Sequence, residues 1–213
     1  MTDHHFPPTR KGRVFETYAV CLREFAGLRD PRQRLDPFEL ARYANLLVAE
    51  FESVIPFLSP ETVAQLLGGG KDAWSGGACS QPLPDGRRLI ILNPTHGKNR
   101  QNATLMEEIS HVFLGHKPSR LAFREEGDGT TVRARDYNAE IEEQAYSVGA
   151  AALVPYSALR ELVREGRTSR QIARQYEVSR LLVEYRIKVS KLWNDYLAVQ
   201  GDGRPVTGRT VKI

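Results

Sequence analysis

Cysteine is scarce: Cys21 and Cys79 are the two in 213 residues. They stand too far apart for a CxxC metal clip and are too few for a disulfide framework, so a reducing, cytoplasmic setting is expected. No run of about 18 apolar residues occurs, which argues against a membrane-spanning helix. The opening MTDHHFPPTRKGR lacks the apolar centre of a signal peptide. Neither sign of charge dominates: 30 Lys and Arg face 26 Asp and Glu, for a net charge of +4. Such a small excess permits contact with nucleic acid but is met as well by a mildly basic soluble protein. Internal repeats and extended low-complexity tracts are also missing.

What is present reads as a folded core between two loose ends. The expected division is a flexible N-terminal arm (1–12), a single domain (13–200) and a flexible tail (201–213). Helical spacing predicts a first helix from Arg13 and a second over 36–51, with Asp36 as cap and Pro37 in the first turn. SPETVAQLLGGG (59–70) predicts a short helix capped by Ser59. Residues 74–94 change character: Pro-Asp-Gly marks a turn and RRLIILN a strand, so a small antiparallel sheet is expected. Helices are then expected over 101–115, 138–153, 155–165, 169–176 and 180–197. Helices, a small sheet, then more helices give an α+β fold rather than alternating βαβ units.

Chemistry concentrates in TLMEEISHVFLGH (104–116). At about 100° per residue, with Leu105 at the origin, Ile109, Val112 and Phe113 fall within roughly 80° and form an apolar stripe. Glu107 and His111 fall at roughly 200° and 240°, with Glu108 beside them at roughly 300°. Two potential ligands at i and i+4 with an adjoining carboxylate are what HExxH supplies to a metal and its attacking water. An ordinary exposed i,i+4 pair is the simpler account of this helix alone. On a continuous helix His116 falls near 20°, on the apolar stripe, so it is expected to end the helix rather than serve the site.

A second helix, NAEIEEQAYSVGAAALVP (138–155), begins acidic and continues in small residues that permit close helix approach. Zinc peptidases commonly complete their site with a downstream carboxylate. Glu142 is the candidate, with Glu140 and Glu143 as rivals on other faces.

These two stretches resemble the ImmA/IrrE family of metallopeptidases, whose pattern is HExxH followed by a helix of the type ExxADxFAAxLLMP. EEISH (107–111) aligns with the first, and Glu142, Ala145, Ala150, Leu153 and Pro155 align with the second. The resemblance spans roughly 36–195 and implies a mostly helical, zincin-like core. It implies His111 and Glu142 as ligands, Glu108 as general base and Glu107 in the place of the first histidine. Tyr146 stands where a group orienting a ligand is often found. It further implies a metal-dependent endopeptidase, zinc first among divalent ions. Its implied substrate is a helix-turn-helix transcriptional repressor, in stress response or mobile-element control.

Glu107 departs from the family pattern. A carboxylate binds zinc about as closely as imidazole, at about 2.0–2.2 Å, so the site survives but its charge changes. A carboxylate-rich site also moves preference toward manganese or iron. The alternative is a catalytically inactive metallopeptidase-like scaffold that binds protein or DNA. For DNA, residues 168–197 read like a helix-turn-helix, with Arg170, Arg174, Arg180, Arg186 and Lys188 as possible phosphate contacts.

Overall fold

The computed structural model describes residues 6–78, 81–116 and 138–201, together with the strands at 121–125 and 131–135. Helix α1 (Arg10–Phe25) begins three residues before the expected start, because the Thr9 hydroxyl accepts the Gly12 N–H as an N-cap. The remaining elements are α2 (Pro37–Tyr43), β1 (Leu46–Ala49), α3 (Phe51–Val54), α4 (Pro60–Leu67), β2 (Gly76–Ala78), β3 (Arg88–Leu92), α5 (Lys98–Phe113), β4 (Leu121–Glu125), β5 (Thr131–Arg135), α6 (Ala139–Leu153), α7 (Tyr156–Arg164), α8 (Ser169–Tyr176), α9 (Arg180–Val189) and α10 (Trp193–Gly201). The fold is α+β and mostly helical, as expected. The tail beyond 201 and the start of the N-terminal arm lie outside the described residues.

Two departures have local backbone causes, at Asn45 and Lys191. The single helix expected over 36–51 breaks at Asn45, which adopts a left-handed φ of 59°. Leu46–Ala49 then runs as β1, parallel to β3, with Leu47 opposite Leu89 and Val48 opposite Ile90. The sheet, in order β1-β3-β2, is therefore mixed rather than purely antiparallel; only the β2–β3 pair is antiparallel. The helix expected over 180–197 is two helices, parted at Lys191 with φ 61°. The antiparallel pair β4–β5 lies where the sequence pattern places no strand.

The Pro-Asp-Gly turn is present: Gly86 takes φ 82° and its N–H donates to the Leu83 carbonyl. The core is one contiguous cluster joining α1, α2, the sheet and α5–α9. Leu105, Met106 and Ile109 of α5 meet Val148, Ala151 and Ala152 of α6 within it, all almost wholly buried. Each large apolar side chain so buried contributes about 1.5–3 kcal/mol.

Helix α5 is held from several sides. Asn99 and Asn102 donate to the carbonyls of Val178 and Glu177, in the turn between α8 and α9. The Glu177 carboxylate in turn meets Arg34 at 2.9 Å and Lys98 at 3.3 Å. On the sheet side, β2 approaches α5 so closely that a Cβ on Gly76 would stand 2.8 Å from Thr104 Cγ2. The motif helix is thus fixed before any metal is considered.

Candidate metal centre

Helices α5 and α6 carry the site and pack against each other more extensively than any other pair of described elements. Gly149 makes this possible, because a Cβ there would lie 3.1 Å from the Met106 carbonyl oxygen. Glu107 and His111 project from α5, and Glu142 from the first turn of α6, where Asn138 caps the helix. One ligand atom from each of the three lies within 4.8 Å of the other two, and all three side chains are half-buried. His111 Nε2 stands 3.3 Å from Glu142 Oε2. Two donors about 2.0–2.2 Å from one tetrahedral ion lie about 3.3–3.6 Å apart, so this pair already has a ligand-like separation.

The electrostatics fit a cation. The Glu107 carboxyl is pushed up to about 7, first by burial and then by the charges of Glu108 and Glu142. A divalent ion would relieve that crowding. Glu108 is half-buried beside the pair, close enough for its charge to act on Glu107.

The rivals of Glu142 face elsewhere. Glu143 is exposed and pairs with Lys11 of α1 at 2.6 Å. Glu140 is exposed in the first turn. Tyr146 sits edge-on to Tyr185, with ring centroids 5.1 Å apart. Burial raises its pKa, and the neighbouring Tyr185 and Glu107 raise it further.

His116 ends the helix as expected, but not on the apolar stripe. Helix α5 does not continue through it: the Leu114 N–H donates to Ser110, the Gly115 N–H to Val112 and the His116 N–H to His111, with Gly115 at φ 68°. This is a Schellman ending, which folds the residue after the glycine back over the last turn. His116 Nδ1 consequently lies 3.1 Å from His111 Nδ1, and its Nε2 lies 3.3 Å from Gln144 Oε1. The Leu-Gly-His sequence carried that signal, since glycine is the usual stop residue.

Residues 68–188, over half the chain, match the family described as the IrrE N-terminal-like domain. The chain belongs to this peptidase family. The matched region contains both site helices, while α1–α4 precede it. Comparison with curated proteins and with solved structures gives no match.

The residues read as helix-turn-helix contacts have different surroundings. Arg170 and Arg174 are exposed on α8. Arg180 pairs with Glu184 at 3.2 Å, and Lys188 lies over the Trp193 ring at 4.8 Å from its centroid. Arg186 cannot meet a phosphate as expected. It is buried, donates to the Val154 carbonyl, and pairs with the equally buried Glu16 at 2.7 Å. Among the described residues no helix is long and apolar enough to cross a membrane.

Proposed function

We propose that the protein is a metal-dependent endopeptidase, with Glu107, His111 and Glu142 holding one divalent ion and Glu108 as general base. The single observation that carries this reading is the convergence of those three ligand atoms within 4.8 Å, in a chain of a peptidase family. When bound, the ion supplies Lewis acidity to the scissile carbonyl and the attacking water. Glu108 takes the proton from that water and delivers it to the leaving amine. The substrate is a helix-turn-helix repressor; family resemblance supports this assignment. Zinc is the ion of choice for the imidazole, and the two carboxylates admit manganese or iron.

The deciding experiment compares Glu108→Gln with His111→Ala, using helix-turn-helix regulators encoded nearby as substrates. Glu108→Gln should keep metal and lose cleavage, because an amide cannot accept the proton. His111→Ala should lose both. Unaltered cleavage in Glu108→Gln would remove the peptidase reading.

A second reading draws on Glu107 itself. A divalent ion with two carboxylates and a neutral imidazole carries no net charge, and so polarises water less than a two-histidine site. That favours a non-catalytic regulator that binds protein, or binds DNA through Arg170, Arg174, Arg180 and Lys188. Duplex binding that weakens steeply with salt, without any cleavage, would support it.

A further inference from the structure

The arrangement around His111 extends beyond the three ligands. On the side away from Glu142, His111 Nδ1 faces His116 Nδ1 at 3.1 Å. The far nitrogen of His116 faces Gln144 Oε1 at 3.3 Å. The two imidazoles are steeply inclined, at 70°, with centroids 5.1 Å apart, so each presents its edge rather than stacking. Four side chains therefore form one line: Glu142, His111, His116, Gln144.

The proton positions along this line are interdependent. A neutral imidazole has one N–H and one lone pair. Gln144 Oε1 is an acceptor, so it calls for a proton on His116 Nε2. His116 Nδ1 is then a lone pair and accepts from His111 Nδ1–H. His111 Nε2 is left with its lone pair directed toward Glu142, where a ligand atom is needed. The opposite polarity would place a proton on His111 Nε2, against the ion. A metal-binding histidine generally has its other nitrogen fixed by such a partner, which sets both tautomer and ring orientation.

We propose that His116, anchored by Gln144, is the positioning residue that holds His111 in its metal-binding tautomer. This rests on the metal site proposed above and assigns a role to two residues outside the ligand set. Tyr146 packs its ring against Tyr185 and lies near Glu107, whereas His116 meets the ligand His111 directly. Backbone geometry supports the assignment. In the Schellman ending, His111 supplies the carbonyl that accepts the His116 N–H at 2.9 Å, so one helix stop fixes both rings. Gln144 lies two residues beyond Glu142 on α6, so the line also ties the end of α5 to the helix carrying the third ligand.

The test uses the full chain and zinc alone, with affinity read by competition against a chromogenic chelator. His116→Ala should weaken zinc binding by about 10-fold or more while far-ultraviolet circular dichroism stays that of the parent. His116→Asn keeps an acceptor near Nδ1 and should recover much of the loss. Gln144→Leu removes only the outer anchor and should produce a smaller loss. The visible spectrum of the cobalt(II) protein should change in His116→Ala and return toward the parent in His116→Asn. Unchanged zinc affinity in folded His116→Ala would overturn the assignment and leave the metal site standing. Equal losses in folded His116→Asn and His116→Ala would reduce His116 to packing and also overturn it. Should His116→Ala fail to fold, unchanged zinc affinity in folded Gln144→Leu overturns it instead. A parent chain that takes up neither zinc nor manganese would remove the metal site and this role together.

Discussion

Gly149 of α6 and Met106 of α5 set the distance between the two helices that carry the site. A Cβ at Gly149 would meet the Met106 carbonyl oxygen at 3.1 Å and Ser110 Oγ at 3.2 Å. Backbone cannot retreat as a flexible side chain can, so a larger residue must push α5 and α6 apart. Gly149→Val should cost about 1–3 kcal/mol in urea unfolding, as over-packed cores do. It should also weaken zinc binding, because Glu107 and His111 move relative to Glu142. Gly149→Ala should do less of both. A stable Gly149→Val protein with parental zinc affinity would show that helix separation does not govern the site.

The metal-free protein should lose stability as pH rises through the neutral range. Burial, then the charges of Glu108 and Glu142, raise the folded pKa of Glu107 from its ordinary 4.5 to about 7. A carboxyl raised in this way favours folding fully below its unfolded pKa and loses that contribution as pH climbs through about 7. The loss is at most about 3.5 kcal/mol, at about 1.4 kcal/mol per pH unit. Melting temperatures of chelator-treated protein between pH 4.5 and 8 should fall, and Glu107→Gln should flatten the decline. An equal slope in both proteins would contradict this account.

Arg186 serves the fold rather than a phosphate. Its side chain is 4% exposed and that of its partner Glu16 3% exposed, and Glu16 also accepts the Tyr156 N–H. The pair thereby joins α1, the start of α7 and α9. Removing one member leaves a buried charge unpaired, so Arg186→Ala should destabilise by about 3–5 kcal/mol. Arg174→Ala, at an exposed position, should shift stability by less than about 0.5 kcal/mol. Chemical denaturation of both variants measures the contrast, and similar midpoints would refute it.

Much of the site was legible because helix periodicity is rigid. Once 104–113 is helical, Glu107 and His111 must share a face, and the small residues of 145–152 bring a second helix close. Where a local backbone state intervenes, periodicity fails. Asn45 in the left-handed region converts an apparent helix continuation, Leu46–Ala49, into a strand whose parallel pairing with β3 is set by the tertiary fold. Gly115 likewise turns His116 from the apolar stripe onto His111, a contact invisible to a continuous helical wheel. The burial of Arg186 was equally hidden, because its partner lies far away in sequence on α1.

Glu107→His separates a working centre from an inert scaffold. With histidine there, a divalent ion would be held by two neutral imidazoles and one carboxylate, leaving a net positive centre. One of three crowded carboxylates also disappears, so the metal-free state loses the repulsion that raises Glu107. These effects oppose each other for affinity: less repulsion remains for a cation to relieve, yet imidazole is the better-suited ligand for zinc. The second should prevail for zinc, with affinity rising by about tenfold or more relative to manganese. Any cleavage should quicken, because the more positive centre polarises the carbonyl and water more strongly. Zinc and manganese titrations of parent and variant, with cleavage assays alongside, provide the measurement. A variant with the parental zinc-to-manganese preference and unchanged turnover would place Glu107 outside the centre and leave the scaffold reading standing.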